Sequence, residues 1–116
     1  MLEYRELMTP YKYLDGSSVI ISIERTNDKY RLSDNSHMLC SMVKSHRVDH
    51  ESIIRVVKIC QKHRARIKSN EILMNAYDYD LYIQLNDYCQ MLLEIEKAFM
   101  DQINETDPKE SPNRDG

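Results

Sequence analysis

Residues 13–36 read Tyr-Leu-Asp-Gly-Ser-Ser-Val-Ile-Ile-Ser-Ile-Glu-Arg-Thr-Asn-Asp-Lys-Tyr-Arg-Leu-Ser-Asp-Asn-Ser. Asp15-Gly16-Ser17 is turn chemistry, because glycine tolerates positive φ and the short polar side chains bond to their own backbone. Ser18–Glu24 is rich in Val and Ile, whose branched side chains suit a pleated surface. Arg25–Asp28 closes a hairpin and Lys29–Leu32 returns, with Tyr30 and Leu32 on one face and Lys29 and Arg31 on the other. An antiparallel pair with one wet face follows. Ser33 or Asp34 then caps a helix, since a short side-chain oxygen can accept from the free N–H groups of a first turn.

Outward from this stretch, the helix opened at Ser33 or Asp34 runs to about Ser45, with Met38, Leu39, Met42 and Val43 on its apolar face. Asp49 is a second cap, and Ile53, Ile54, Val56, Val57 and Cys60 keep helical spacing until near His63. Ala65–Lys68 and Glu71–Tyr77, split by Ser69-Asn70, read as a second hairpin; one helix continuing from 51 through 76 is the competing reading. Asp78 can cap the last and longest helix. There Leu81, Leu85, Tyr88, Leu92, Ile95 and Phe99 make a seam of the kind that buries against a domain's own core. On the N-terminal side, Met1–Met8 reads as a short lead-in helix ended by Thr9-Pro10, because the residue before proline is pushed from helical geometry. The expected architecture is a single α+β domain over residues 1–105. It has a small antiparallel sheet of one or two hairpins packed against two or three helices. Residues 106–116 are expected to form a disordered polar tail.

The chain has 116 residues, one domain's worth, with 41% hydrophobic and 30% charged side chains. No apolar run approaches the ~20 residues that span a bilayer, and the first residues lack the layout of a signal peptide, so a cytoplasmic location is expected. Cys40, Cys60 and Cys89 show no framework spacing and suit reduced, mostly buried thiols. The net charge of −3 hides a polarity: residues 52–70 hold six basic side chains and no acid, while residues 78–116 hold ten acids against three bases.

Constellations that carry bond chemistry are thin. His37 with Cys40 and His46 with His50 have helical ligand spacing, but the interval between the pairs is short for a zinc finger and a cysteine pair is missing. No metal site is expected. Asp15 and Glu24 resemble the carboxylates of a divalent-metal nuclease, yet Thr26 stands where such enzymes need a lysine. With only Gly16 and Gly116, the chain has neither a phosphate-cradling loop nor a dinucleotide fingerprint, so no cofactor is expected. Catalytic residues are assigned to none of these.

Pro10, Leu14-Asp15-Gly16, Val19–Ile23, Thr26-Asn27-Asp28 and Tyr30-Arg31-Leu32-Ser33-Asp34 together resemble a small bacterial and phage family known as domain of unknown function eighteen twenty-eight. A basic helix end with an extended segment (Lys62 to Ala76) and a closing helix continue the likeness. Asn35-Ser36 replaces a glycine that often follows the second acid. The resemblance implies a small α+β domain carried by prophages and mobile elements, and it brings no catalytic residues.

The function expected is therefore non-catalytic binding to another protein or ribonucleoprotein complex. One form of it is a phage-type module that inhibits a host defence complex such as a CRISPR effector. The chain is expected to be a monomer or homodimer, with no membrane partner. The contact face expected is acidic and tyrosine-rich: Asp78, Tyr79, Asp80, Tyr82, Asp87 and Glu94. The alternative is a nucleic-acid-binding regulator using Arg55, Lys58, Lys62, Arg64, Arg66 and Lys68. A metal-dependent nuclease is the third reading.

Overall fold

A computed structural model describes residues 2–44 and 49–106, the side chains of 2 and 101–106 excepted. Five strands form one antiparallel sheet: β1 (Leu2–Lys12), β2 (Ser18–Thr26), β3 (Lys29–Ser33), β4 (Arg66–Lys68) and β5 (Glu71–Tyr77), in the order β1-β2-β3-β5-β4. Three helices accompany it: α1 (His37–Lys44), α2 (His50–Lys62) and α3 (Leu81–Thr106). The α+β class, both hairpins and the long closing helix are as expected. Thr106, expected to open the tail, ends α3 instead, while residues 107–116, Ser45 and His46 lie outside the described residues.

Both hairpins turn on residues that accept left-handed backbone. Asn27 has φ 58° between β2 and β3, and Ser69 and Asn70 have φ 52° and 66° between β4 and β5. Two left-handed residues in a two-residue loop match the twist of the flanking strands. That turn rules out a helix running on through residue 76. Before β2, Gly16 (φ 89°) sits in a turn that the Asp15 carboxylate pins, accepting from the Ser17 amide and hydroxyl.

Of the lead-in helix expected for Met1–Met8, Met1 lies outside the described residues and the rest is instead the first part of β1. Leu7 lies opposite Ile21, Arg5 opposite Ile23 and Glu3 opposite Arg25. Most of these residues are good helix formers, but a helix there has nothing to pack on, whereas β2 offers a full ladder. Pairing overrides propensity. Thr9-Pro10 does not end the element; it marks a register shift between Met8 and Lys12. The Thr9 hydroxyl donates to the Val19 carbonyl at 2.7 Å there, and proline's missing N–H is tolerated at such a break.

One sheet face carries Val19, Ile21, Leu32, Ile72, Met74 and Ala76, all essentially inaccessible. Against it lies the α3 seam: Tyr88, Leu92 and Ile95 are fully buried, Phe99 nearly so, and Leu81 and Leu85 half-buried. α1 contributes Met38 and Met42, and α2 contributes Val56 and Cys60. Burying each large aliphatic side chain is worth roughly 1.5–3 kcal/mol, so this layer supplies the main driving force. The seam is consumed inside the domain. The opposite sheet face carries polar pairs: Arg31 meets Glu24 at 2.6 and 2.7 Å, Tyr4 meets Ser22 at 2.9 Å, and Ser33 donates to Glu71.

The helix starts differ in detail from expectation. Of the two cap candidates for α1 it is Asp34 that serves, and the helix begins only at His37 because Asn35 and Ser36 take left-handed backbone (φ 56° and 67°). The Asp34 carboxylate accepts from the Ser36 amide at 3.1 Å and the Met38 amide at 2.9 Å. Asp34 is 3% exposed, and burial pushes its pKa above the ordinary carboxylate value although those amides pull the other way. Asp49 caps α2 as expected, accepting from the Ser52 amide. Asp80, not Asp78, opens α3: its carbonyl accepts from the Gln84 amide and its carboxylate from the Tyr77 amide at 2.7 Å. Asp78 lies two residues before that helix start, and its carboxylate accepts from the Tyr30 hydroxyl instead.

Candidate interaction surface

The acidic, tyrosine-rich residues at the start of α3 do not form one face. Asp80 is occupied as the cap just described. Asp87 and Glu94, seven residues apart on one helical stripe, face the end of α2. There the His63 ring sits between them, 2.9 Å from Asp87 through Nδ1 and 2.9 Å from Glu94 through Nε2, while Lys62 pairs with Glu94. Burial alone would lower the His63 pKa, but hydrogen bonds to Glu94 and Asp87 outweigh it and hold the ring above the ordinary value. For Glu94, Lys62 and His63 reverse an upward push from burial and keep the carboxyl below its usual range. These acids clasp α2 to α3.

Asp78, Tyr79 and Tyr82 make a separate group where β5 turns into α3. Because Asp80 holds the Tyr77 amide, the intervening residues are thrown outward. Tyr79 stacks on Tyr77 with ring centroids 5.6 Å apart and planes 5° from parallel. Tyr79 is 83% exposed, Tyr82 84% and Ile83 69%. Asp78 accepts from the Tyr30 hydroxyl at 2.6 Å, and that bond raises the Tyr30 pKa. Arg25 lies 4.0 Å from Asp78, 3.6 Å from Glu3 and 5.7 Å over the Tyr30 ring. Beside this lattice runs an open groove of about 420 Å³ between β1 and α3, whose apolar lining includes Leu7, Ile23, Leu81 and Leu85 with Tyr82 at one wall.

The basic segment is also divided. Arg55, Lys58 and Lys62 share a stripe of α2, but Lys62 is engaged by Glu94. Arg64 stands in left-handed backbone (φ 62°) at the helix exit, and Arg66 and Lys68 share one face of β4, with Lys68 opposite Glu71. The six cations thus spread over a helix, a turn and a sheet edge.

For bond chemistry the placements are dispersed. Asp15 belongs to the turn before β2 and Glu24 to its far end, a strand length of roughly 20 Å away; one carboxylate is held by Ser17 and the other by Arg31. His37 lies flat on Tyr13, with ring centroids 4.6 Å apart. Cys40 is exposed near His37 on the rim of a hollow of about 440 Å³ between α1 and the sheet. Cys60 and Cys89 are buried, and burial pushes the Cys60 thiol up to about 11. Among the described residues no three His, Cys, Asp or Glu side chains gather as a cation would need. No described helix is long and apolar enough to cross a membrane.

Arg25, Tyr30, Leu7 and Ile83 join the surface without having been singled out in the sequence. Only the alternation of Tyr30 with Leu32 hinted at one of them; Arg25 meets Glu3 of β1 and Leu7 lies on β1, whose strand character the local composition hides. No curated protein and no solved structure matches the chain. The model of the family described as Domain of unknown function DUF1828 matches residues 9–95. The chain belongs to that family.

Proposed function

We propose that this chain, as a member of that family, is a non-catalytic interaction module that grips another protein or ribonucleoprotein through Tyr79, Tyr82 and Ile83 and the groove beside them. The carrying observation is the exposure of those three side chains, with Tyr82 itself on the wall of an apolar groove. A tyrosine brings a large, rigid contact area with few rotamers to freeze, which is why interfaces favour it. Here Tyr79 is steadied by Tyr77, and Asp78 is steadied by Tyr30, so the surface is pre-ordered and little entropy is lost on docking.

Affinity capture from host lysate with mass spectrometry, at two salt concentrations, tests this reading. A stoichiometric partner held by the wild type and lost with Tyr79→Ala/Tyr82→Ala supports it. Capture that is equal for both proteins, or empty for both, counts against it. The finer form of the proposal, a phage or mobile-element product that inhibits a host defence complex such as a CRISPR effector, rests on the family setting. Interference assays with and without the protein test it, and undiminished interference removes it.

The nucleic-acid alternative has Arg66 and Lys68 side by side on β4 in its favour. It requires binding that weakens steeply with salt and is lost when Arg55, Lys58, Arg66 and Lys68 become Glu. Binding that ignores salt, or none to duplex or single strands, removes it.

A further inference from the structure

We propose that the outer edge of β1 pairs with β1 of a second copy of this chain, antiparallel, about a two-fold axis at Tyr4. Among the described strands β1 has a neighbour on the β2 side alone. Its other edge therefore presents a row of main-chain N–H and C=O groups, a ready template for a further strand. Each face of the edge carries exposed apolar side chains among its charges: Tyr4 is 56% exposed and Met8 68% on one, Leu7 39% on the other.

The charges on β1 select the partner and the register. In a two-fold antiparallel pair, directly opposed residues share a face, so each register is named by the residue on the axis. An axis at Glu3 sets Glu3 against Glu3, one at Arg5 sets Arg5 against Arg5, and one at Glu6 sets Glu6 against Glu6. Like charges directly opposed are unfavourable. An axis at Leu7 or beyond carries both strands into the register shift after Met8 and brings Tyr4 opposite Pro10, which has no N–H. The axis at Tyr4 escapes every one of these conflicts. It places Glu3 opposite Arg5 of the second copy, twice, and Tyr4 opposite Tyr4. Glu3 then sits between its own Arg25 and the second copy's cation. The two sheets continue through the pair as one, and the groove beside each β1 opens onto its counterpart.

Sedimentation equilibrium over a wide concentration series tests the pairing. The wild type is expected to dimerise reversibly. Glu3→Arg and Arg5→Glu should each weaken dimerisation at least tenfold, because each creates like-charged opposition. Mixing the two variants restores opposite charges at both positions and should recover the lost affinity as a mixed dimer. Thermal melts confirm that each variant is folded, and the mixture reports even if one variant is less stable alone. For the register, Tyr4→Cys in a Cys40→Ser background should form an oxidised dimer, since opposed Cα atoms about 4.5–5.5 Å apart suit a disulfide. Leu7→Cys should not. A wild type that stays monomeric throughout, a mixture no tighter than its components, or cross-linking at Leu7 instead of Tyr4 overturns the proposal. It stands apart from the role proposed above: a monomer can still be captured through Tyr79 and Tyr82, and a dimer can form with no other partner, so the two tests fail independently.

Discussion

Replacing Asp34 separates two opposing effects that the fold combines at one carboxylate. Asp34→Ala removes the acceptor of the Ser36 and Met38 amides, in a position only 3% exposed. Loss of a cap costs about 0.5–2 kcal/mol, and a buried N–H left without a partner costs about 1–3 kcal/mol. Against this stands relief from burying an ionised group, so a net loss of about 2 kcal/mol is expected. For a domain of this size that lowers Tm by roughly 8–16 °C. Asp34→Asn keeps a side-chain oxygen for capping and carries no charge, so it should lose less than half as much. The pH dependence has a definite sign. The folded pKa of Asp34 is raised, so between its unfolded and folded values the native state binds more protons. Wild-type stability relative to Asp34→Asn should therefore rise as pH falls from neutrality through the raised folded value, and level off below the ordinary carboxylate range. Urea unfolding followed by far-UV circular dichroism, over a pH series, measures both quantities. A wild type that loses ground to Asp34→Asn on acidification means that the fold favours the charged form, and the reasoning from burial fails.

Further outcomes follow from the same contacts. His63→Ala should destabilise by no more than about 1 kcal/mol, because its carboxylate partners are partly solvated; the folded pKa of His63 is raised, so this contribution is complete below the ordinary histidine value and disappears as pH rises through the folded one, which NMR titration of the ring and denaturation above and below that window can follow. Tyr79→Ala and Tyr82→Ala, both on highly exposed side chains, should shift stability by less than about 0.5 kcal/mol each in thermal melts while abolishing partner capture. Tyr88→Phe leaves the Ile72 carbonyl without its buried donor and should cost about 1–3 kcal/mol by urea denaturation with an unchanged m-value.

The legibility of this chain tracks how local each determinant is. Both hairpins were readable because β-branched runs and turn-forming residues lie within a few positions of one another. The α3 seam was readable because its period is intrinsic to one helix. β1 was not: Glu3, Arg5, Glu6, Leu7 and Met8 favour helices locally, and only the ladder offered by β2 makes them a strand. The delayed start of α1 arises from left-handed Asn35 and Ser36, a backbone choice that composition does not announce. At the surface, the wealth of tyrosine and acid at the start of α3 was visible, but the division of labour among the acids was not. Asp80 turns inward to a backbone amide, while Asp87 and Glu94 are taken by His63, more than twenty residues earlier in the chain. Tyr79 is left in solvent by the turn that Asp80 holds, and Tyr82 lies off the helix stripe that faces the core.

The placement of β5 beside β3 has a bearing on how the protein is made. During synthesis β1, β2 and β3 emerge first as a three-stranded meander, and Leu32 must wait for Met74 to complete the sheet and for α3 to cover it. Val19, Ile21 and Leu32 thus stay bare while the middle of the chain is still being polymerised, a window in which nascent chains on neighbouring ribosomes can stick to one another. Pausing, cold induction or chaperone supply during that interval should govern yield more than the stability of the finished domain.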